Sequence, residues 1–166
     1  MKNLHISKWW GNYIGGCDDS LLLLDYFGTS SSNTLTLRQI FEDIHLDSVL
    51  ESKEFESSSL YFEPISGYAS HFDMTIDVVI DLSAILLECL HNKQVAIKEL
   101  DESTKYQKDI TISASKQDIL LLKSGLDKFI SAPKLFDLAN LMDENDLIEL
   151  VGDCKSISDE LMTFIG

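Results

Sequence analysis

The chain has 166 residues, of which 13 are lysine or arginine and 28 are aspartate or glutamate, giving a formal net charge of −15. That length predicts one domain spanning residues 1–166, which would bury about 70 % of its unfolded surface and needs no covalent staple to fold. The charge argues against non-specific binding to nucleic acid or anionic membranes, and its natural complement is a basic protein.

In chain order, Leu4, Trp9 or Trp10 and Tyr13 have helix-compatible spacing, so a short aromatic helix is expected between Leu4 and Ile14, ended by Gly15-Gly16. Asp18-Asp19-Ser20 supplies cap residues for a second short helix, Leu21 to Phe27, closed by Gly28. A buried strand is the rival there, although leucine favours helix over the β-branched alternative. After a polar loop at Thr29 to Asn33, Thr36 and Gln39 have the spacing of a capping box ahead of Ile40, Phe41 and Ile44, so a third helix should start at Thr36. Asp47 to Ser59 is acidic and serine-rich, which suits an exposed connection, and Leu60 to Glu63 reads as a short strand stopped by Pro64 and Gly67.

His71 to Asn92 predicts the long central helix. At about 100° per residue, Phe72, Ile76, Val79, Ser83, Leu86 and Leu90 lie along one line, widened by Val78, Leu82 and Ile85. An apolar wall that wide calls for cover on several sides. Asp73, Asp77, Asp81 and Glu88 exclude a membrane span, since each would cost on the order of 3 kcal/mol near a bilayer centre. These four acids fall in one narrow stripe opposite the apolar wall, with no lysine or arginine between Phe72 and Asn92. Two readings stay open, a solvated face and a surface for a cationic partner.

Gln94 to Leu100 and Asp109 to Ala114 alternate in the strand manner and should pair as an antiparallel hairpin around the charged loop Asp101 to Lys108. Leu60 to Glu63 is a candidate third strand. Ser115 with Asp118 opens a helix whose Ile119, Leu122, Leu126 and Phe129 share a face and which stops before Pro133, weakened slightly by Gly125. A short helical segment at Leu135 to Met142 precedes a last helix capped by Asp143, with Leu147, Val151, Cys154, Ile157, Leu161 and Ile165 inward. Asp146, Glu149, Asp153 and Glu160 form a second acidic column on its other side. The fold class is therefore α+β: a mostly helical domain with a long central helix and a small antiparallel sheet.

Catalytic and cofactor motifs do not emerge. Cys17, Cys89 and Cys154 are too few and too dispersed for a disulfide framework, and no C-x-x-C pair occurs, which fits a reducing compartment. Cys17 follows Gly15-Gly16 near a helix start, but Asp18 and Asp19 oppose its thiolate. Cys89 and His91 diverge on a helix, as do His71 and Asp73, so neither makes a nucleophile–base pair or a metal site. No phosphate loop is present, and Trp9-Trp10 divides more naturally between core and surface than into a stacking platform. No catalytic residue, metal or cofactor is expected. The first residues, one early lysine followed by aromatics, lack a signal-peptide pattern, and a cytoplasmic protein is expected.

Trp10-Gly11-Asn12-Tyr13-Ile14-Gly15-Gly16 with Asp18-Asp19-Ser20, the leucine-rich segment after it and the Asp- and Leu-rich central helix resemble small bacterial immunity proteins, the antidotes encoded beside polymorphic toxins, including contact-dependent growth inhibition systems. The resemblance implies a cytoplasmic protein that binds one toxin domain, often a basic nuclease, and blocks its active site or substrate surface; it assigns no contact residues. The expectation is a non-enzymatic, monomeric inhibitor of the C-terminal domain of a toxin, most simply a ribonuclease. Its candidate contacts are Asp18, Asp19, Asp73, Asp77, Asp81, Glu88, Asp146, Glu149, Asp153 and Glu160. The alternatives are an acidic adaptor or regulatory subunit of a larger assembly, and a hydrolase whose catalytic residues are dispersed in sequence.

Overall fold

The computed structural model describes residues 4–11, 13–52, 55, 60–64 and 67–165. A single 3-10 turn, His5–Lys8, opens the described chain, so the aromatic helix foreseen from Leu4 to Ile14 is shorter and tighter than expected. Positive φ at Gly11 and Gly15 turns the main chain out of helical geometry before it can propagate. Helix α1 (Asp18–Thr29) follows and settles the choice between helix and strand for the leucine run. Strand β1 is Thr34–Thr36 and helix α2 is Leu37–Ile44, with Thr36 as N-cap accepting from the Gln39 N–H at 3.0 Å, as the capping spacing foretells. The Gln39 side chain turns to Asp43 at 2.7 Å and leaves the box half closed.

His45, at φ 65°, ends α2, and the chain re-enters a helix at once as α3 (Leu46–Ser52), which buries Val49 and Leu50. This corrects the reading of Asp47 to Ser59 as an exposed connection: two apolar residues three and four positions after Leu46 were enough to fold its first turns onto the core, and most of the remainder lies outside the described residues.

Strands β2 (Tyr61–Phe62) and β3 (Ser70–His71) form their own antiparallel ladder, Tyr61 opposite His71 and Phe62 opposite Ser70. Helix α4 runs Thr75–Asn92, four residues shorter at its start than expected, because His71 is taken by that ladder. The segment after it turns from β4 (Val95–Ala96) into a single helical turn, α5 (Ile97–Leu100). Strand β5 (Asp109–Ser113) pairs antiparallel with β4, Val95 opposite Ile110, as foreseen. Its other edge carries β1 in parallel, Leu35 opposite Ile112, so the third strand is Thr34–Thr36 and not Leu60 to Glu63. Helix α6 (Lys116–Ser131) has Ser115 as N-cap, two 3-10 stretches follow at Pro133–Leu135 and Asp137–Leu141, and α7 (Glu144–Thr163) has Asp143 as N-cap.

Helix α4 is the axis. Every residue from Thr75 to Cys89 is buried, which requires cover on all sides: the His5–Lys8 turn, α1, α6, α7 and strands β4 and β5 surround it. The fold is thus α+β and mostly helical with a long central helix, and among the described residues no helix is long and apolar enough to cross a membrane.

Candidate functional site

Burial of α4 from Thr75 to Cys89 reverses the expectation for the three acids of the stripe that lie within it. Asp77, Asp81 and Glu88 are 5 %, 2 % and 0 % exposed, so they are neither a solvated face nor a contact surface. A buried carboxylate needs hydrogen-bond donors, and here the N-terminal segment provides them. Glu88 accepts from the Ile6 N–H at 2.8 Å and from the Asn92 side-chain amide at 2.5 Å. Asp81 accepts from the Gly15 N–H at 3.2 Å and from the Ser20 hydroxyl. Asp77 accepts from the Tyr13 hydroxyl at 2.7 Å. Asp19 works in the other direction, its two oxygens accepting from the Asp73 and Met74 N–H groups at 2.8 and 2.9 Å just ahead of α4. Asp19 is itself buried, whereas Asp18 and Asp73 are exposed beside it. Gly15 is needed twice over at this seam, for a φ of +81° and because a Cβ there would fall 2.3 Å from the Trp10 ring.

Burial dominates the chemistry of this seam. It pushes Asp81 up to about 8 and Asp77 up to about 6, with the neighbouring carboxylates adding to it and the hydroxyl hydrogen bonds opposing it. The Cys17 thiol is pushed up to about 12 by burial and then by the charges of Asp81 and Asp77, so it is held as an inert thiol. The opposing charges foreseen from Asp18 and Asp19 come instead from α4. Cys89 and Cys154 are buried and their thiols are likewise raised by burial. Asp77 and Asp81 lie beneath this N-terminal strap (residues 4–11 and 13–20) and accept from its Tyr13, Gly15 and Ser20, whereas the Cys89 thiol donates to the Ile110 carbonyl of β5.

The column on α7 remains at the surface. Asp146 and Glu149 are exposed and Asp153 half-buried, and with Tyr13, Met142 and Leu150 they line a cavity of about 380 Å³. No lysine, arginine or histidine among the described residues forms an ion pair with any of the three. Asp153 is raised by partial burial and then by the charge of Glu149. The uncompensated acids lie on the C-terminal segment that also exposes Leu135, Leu141 and Ile148, by 78 %, 71 % and 65 %. Glu160, about two turns further along, leaves the group: it accepts from His5 at 2.5 Å and from Lys8 at 3.2 Å, with His91 at 3.6 Å. Sequence reasoning missed Tyr13, the three apolar residues and the two histidines; Tyr13 lies within the Trp10–Gly16 stretch that stood out in the sequence.

Neither a curated protein nor a solved structure matches the chain. A family model does, over residues 5–161, which include the strap, the central helix and almost all of α7. That model describes immunity protein 68, and the chain belongs to this family of immunity proteins.

Proposed function

We propose that the protein neutralises a cognate toxin domain, a basic nuclease and most simply a ribonuclease, by laying the Asp146–Glu149–Asp153 edge of α7 over the toxin's substrate-binding surface. Family membership supports an inhibitor without catalysis of its own. The observation that carries the rest is the absence of a cationic partner for these three acids among the described residues. Like charges held together on one helix are mildly unfavourable until a cation meets them. A nuclease must present lysine and arginine to phosphates, so its substrate surface is the complementary patch, and the net charge of −15 would speed the encounter. Leu141 and Ile148 supply the apolar anchors that a tight interface needs beside its charges. Asp18 and Asp73 form a second exposed pair and are the alternative edge.

The test is co-expression with the C-terminal domain of the toxin encoded beside this chain. Wild-type protein should restore growth and co-purify with the domain, and Asp146→Lys with Glu149→Lys and Asp153→Lys should lose both. Full protection by that triple variant would move the contact off α7. A neighbouring toxin whose activity is unrelated to nucleic acid would overturn the nuclease assignment.

A further inference from the structure

We propose that His5, His91 and Glu160 form a binding site for a divalent transition-metal ion, with zinc as its occupant. One ligand atom from each of the three side chains lies within 4.8 Å of the other two. They come from three different parts of the fold: the His5–Lys8 turn, the last turn of α4 and the last turn of α7. The Nε2 atoms of both histidines approach the same carboxylate oxygen, Glu160 Oε1, at 2.5 and 3.6 Å. Ligands on a tetrahedral zinc ion with bonds of about 2.0–2.1 Å stand roughly 3.3 Å apart. The His91 pair is close to that value and the His5 pair is shorter, so occupation requires the His5–Glu160 contact to open by about 0.8 Å while every ligand atom stays within the 4.8 Å cluster.

The surroundings hold the ligands in place. The imidazoles stack with centroids 3.7 Å apart and planes inclined at 27°. Trp9 packs edge-on against His5 at 5.5 Å, and Phe164 packs edge-on against His91 at 5.3 Å. Lys8 contacts the other carboxylate oxygen, Glu160 Oε2, at 3.2 Å, and so orients the carboxylate without occupying the oxygen that faces the histidines. Two imidazoles with one carboxylate is a donor set suited to zinc, and it leaves a coordination position for water. The two histidines border a cleft of about 540 Å³ that Leu4, Ser7, Lys8 and Asn92 also line. The ion would clip the two ends of the described chain to the end of α4, a role that does not depend on the toxin reading. Sequence spacing could not reveal the site, because His5 and Glu160 are 155 residues apart.

The test is isothermal titration of untagged full-length protein with Zn2+, alongside thermal melts with and without the ion. One equivalent should bind and raise the melting temperature, and His91→Ala or Glu160→Gln should weaken binding by about tenfold or more. His91 is at the surface, and far-ultraviolet circular dichroism will confirm that its variant folds. Co2+ should give a visible spectrum without a thiolate charge-transfer band, and Cys17→Ser should bind as wild type does. Absence of stoichiometric binding, equal binding by His91→Ala and wild type, or a thiolate band would overturn the proposal.

Discussion

Glu88, in the middle of the apolar core, accepts a hydrogen bond from the main-chain N–H of Ile6, 82 residues earlier, at 2.8 Å. The carboxylate thereby substitutes for a missing helical or sheet partner and fixes where the N-terminal turn lies on α4. Glu88→Ala should therefore cost about 2–4 kcal/mol in urea denaturation, since it strands a buried donor and opens a cavity. Glu88→Gln keeps an acceptor of the same shape and should lose much less. Equal losses for the two would show that the Ile6 contact contributes little.

The Asp81 carboxyl gives this seam a pH dependence. In the unfolded chain it ionises near the ordinary value of 3.8, while burial in the fold pushes it up to about 8. Between those limits the folded state holds a proton that the unfolded state has released, so stability is greatest at the acid end and falls as pH rises through the window. Asp77, raised to about 6, adds to the lower part of it. Stability measured at pH 5 and pH 8 should differ by about 2 kcal/mol or more, and Asp81→Asn should remove most of the difference. A wild-type profile that rises from pH 5 to pH 8 would contradict the burial argument.

Gly125 reads in sequence as a weak point of α6, and its surroundings explain it. A Cβ there would lie 2.9 Å from Leu50 Cδ2 and 3.3 Å from Val79 Cγ1, so the glycine lets α6 approach α3 and α4 closely. Alanine gains about 1 kcal/mol of helix propensity and incurs about 1–3 kcal/mol of overpacking in a filled core. Gly125→Ala should be destabilising on balance, and a stabilised variant in thermal melts would show that Leu50 can move aside.

What could be read in the sequence was local. The caps at Thr36, Ser115 and Asp143 each accept from the N–H three residues on, and that spacing is visible without a fold. The apolar period of α4 likewise identifies it as central. The partners of Asp77, Asp81 and Glu88 were hidden, because Tyr13, Gly15, Ser20 and Ile6 lie mostly in an irregular strap with no period. A helical wheel assigns any acidic stripe to the outside, and only long-range contact turns it inward. The parallel pairing of Leu35 with Ile112 was hidden for the same reason: three residues of β1 carry no signal for a strand so distant in sequence. On α7, Asp146 and Glu149 are exposed as the wheel places them, whereas Glu160 of the same column is met by His5 and Lys8 from the N-terminal turn.

That contrast sets the kinetic expectation for the toxin complex. Charges exposed around an interface act mainly on the encounter rate and are screened by salt, whereas apolar anchors act on dissociation. Reversing Asp146, Glu149 and Asp153 to lysine should slow association with the toxin domain at low ionic strength by about tenfold or more and flatten its salt dependence. Ile148→Ala should leave association nearly unchanged and shorten the lifetime of the complex. Asp18→Lys with Asp73→Lys, on the other exposed acidic pair, should show only the small change expected of altered net charge. Surface plasmon resonance across a salt series separates these outcomes. If the Asp18–Asp73 pair carries the salt-dependent loss and the α7 variants bind as wild type does, the toxin docks at the α1 end, and α7 is a solvated face.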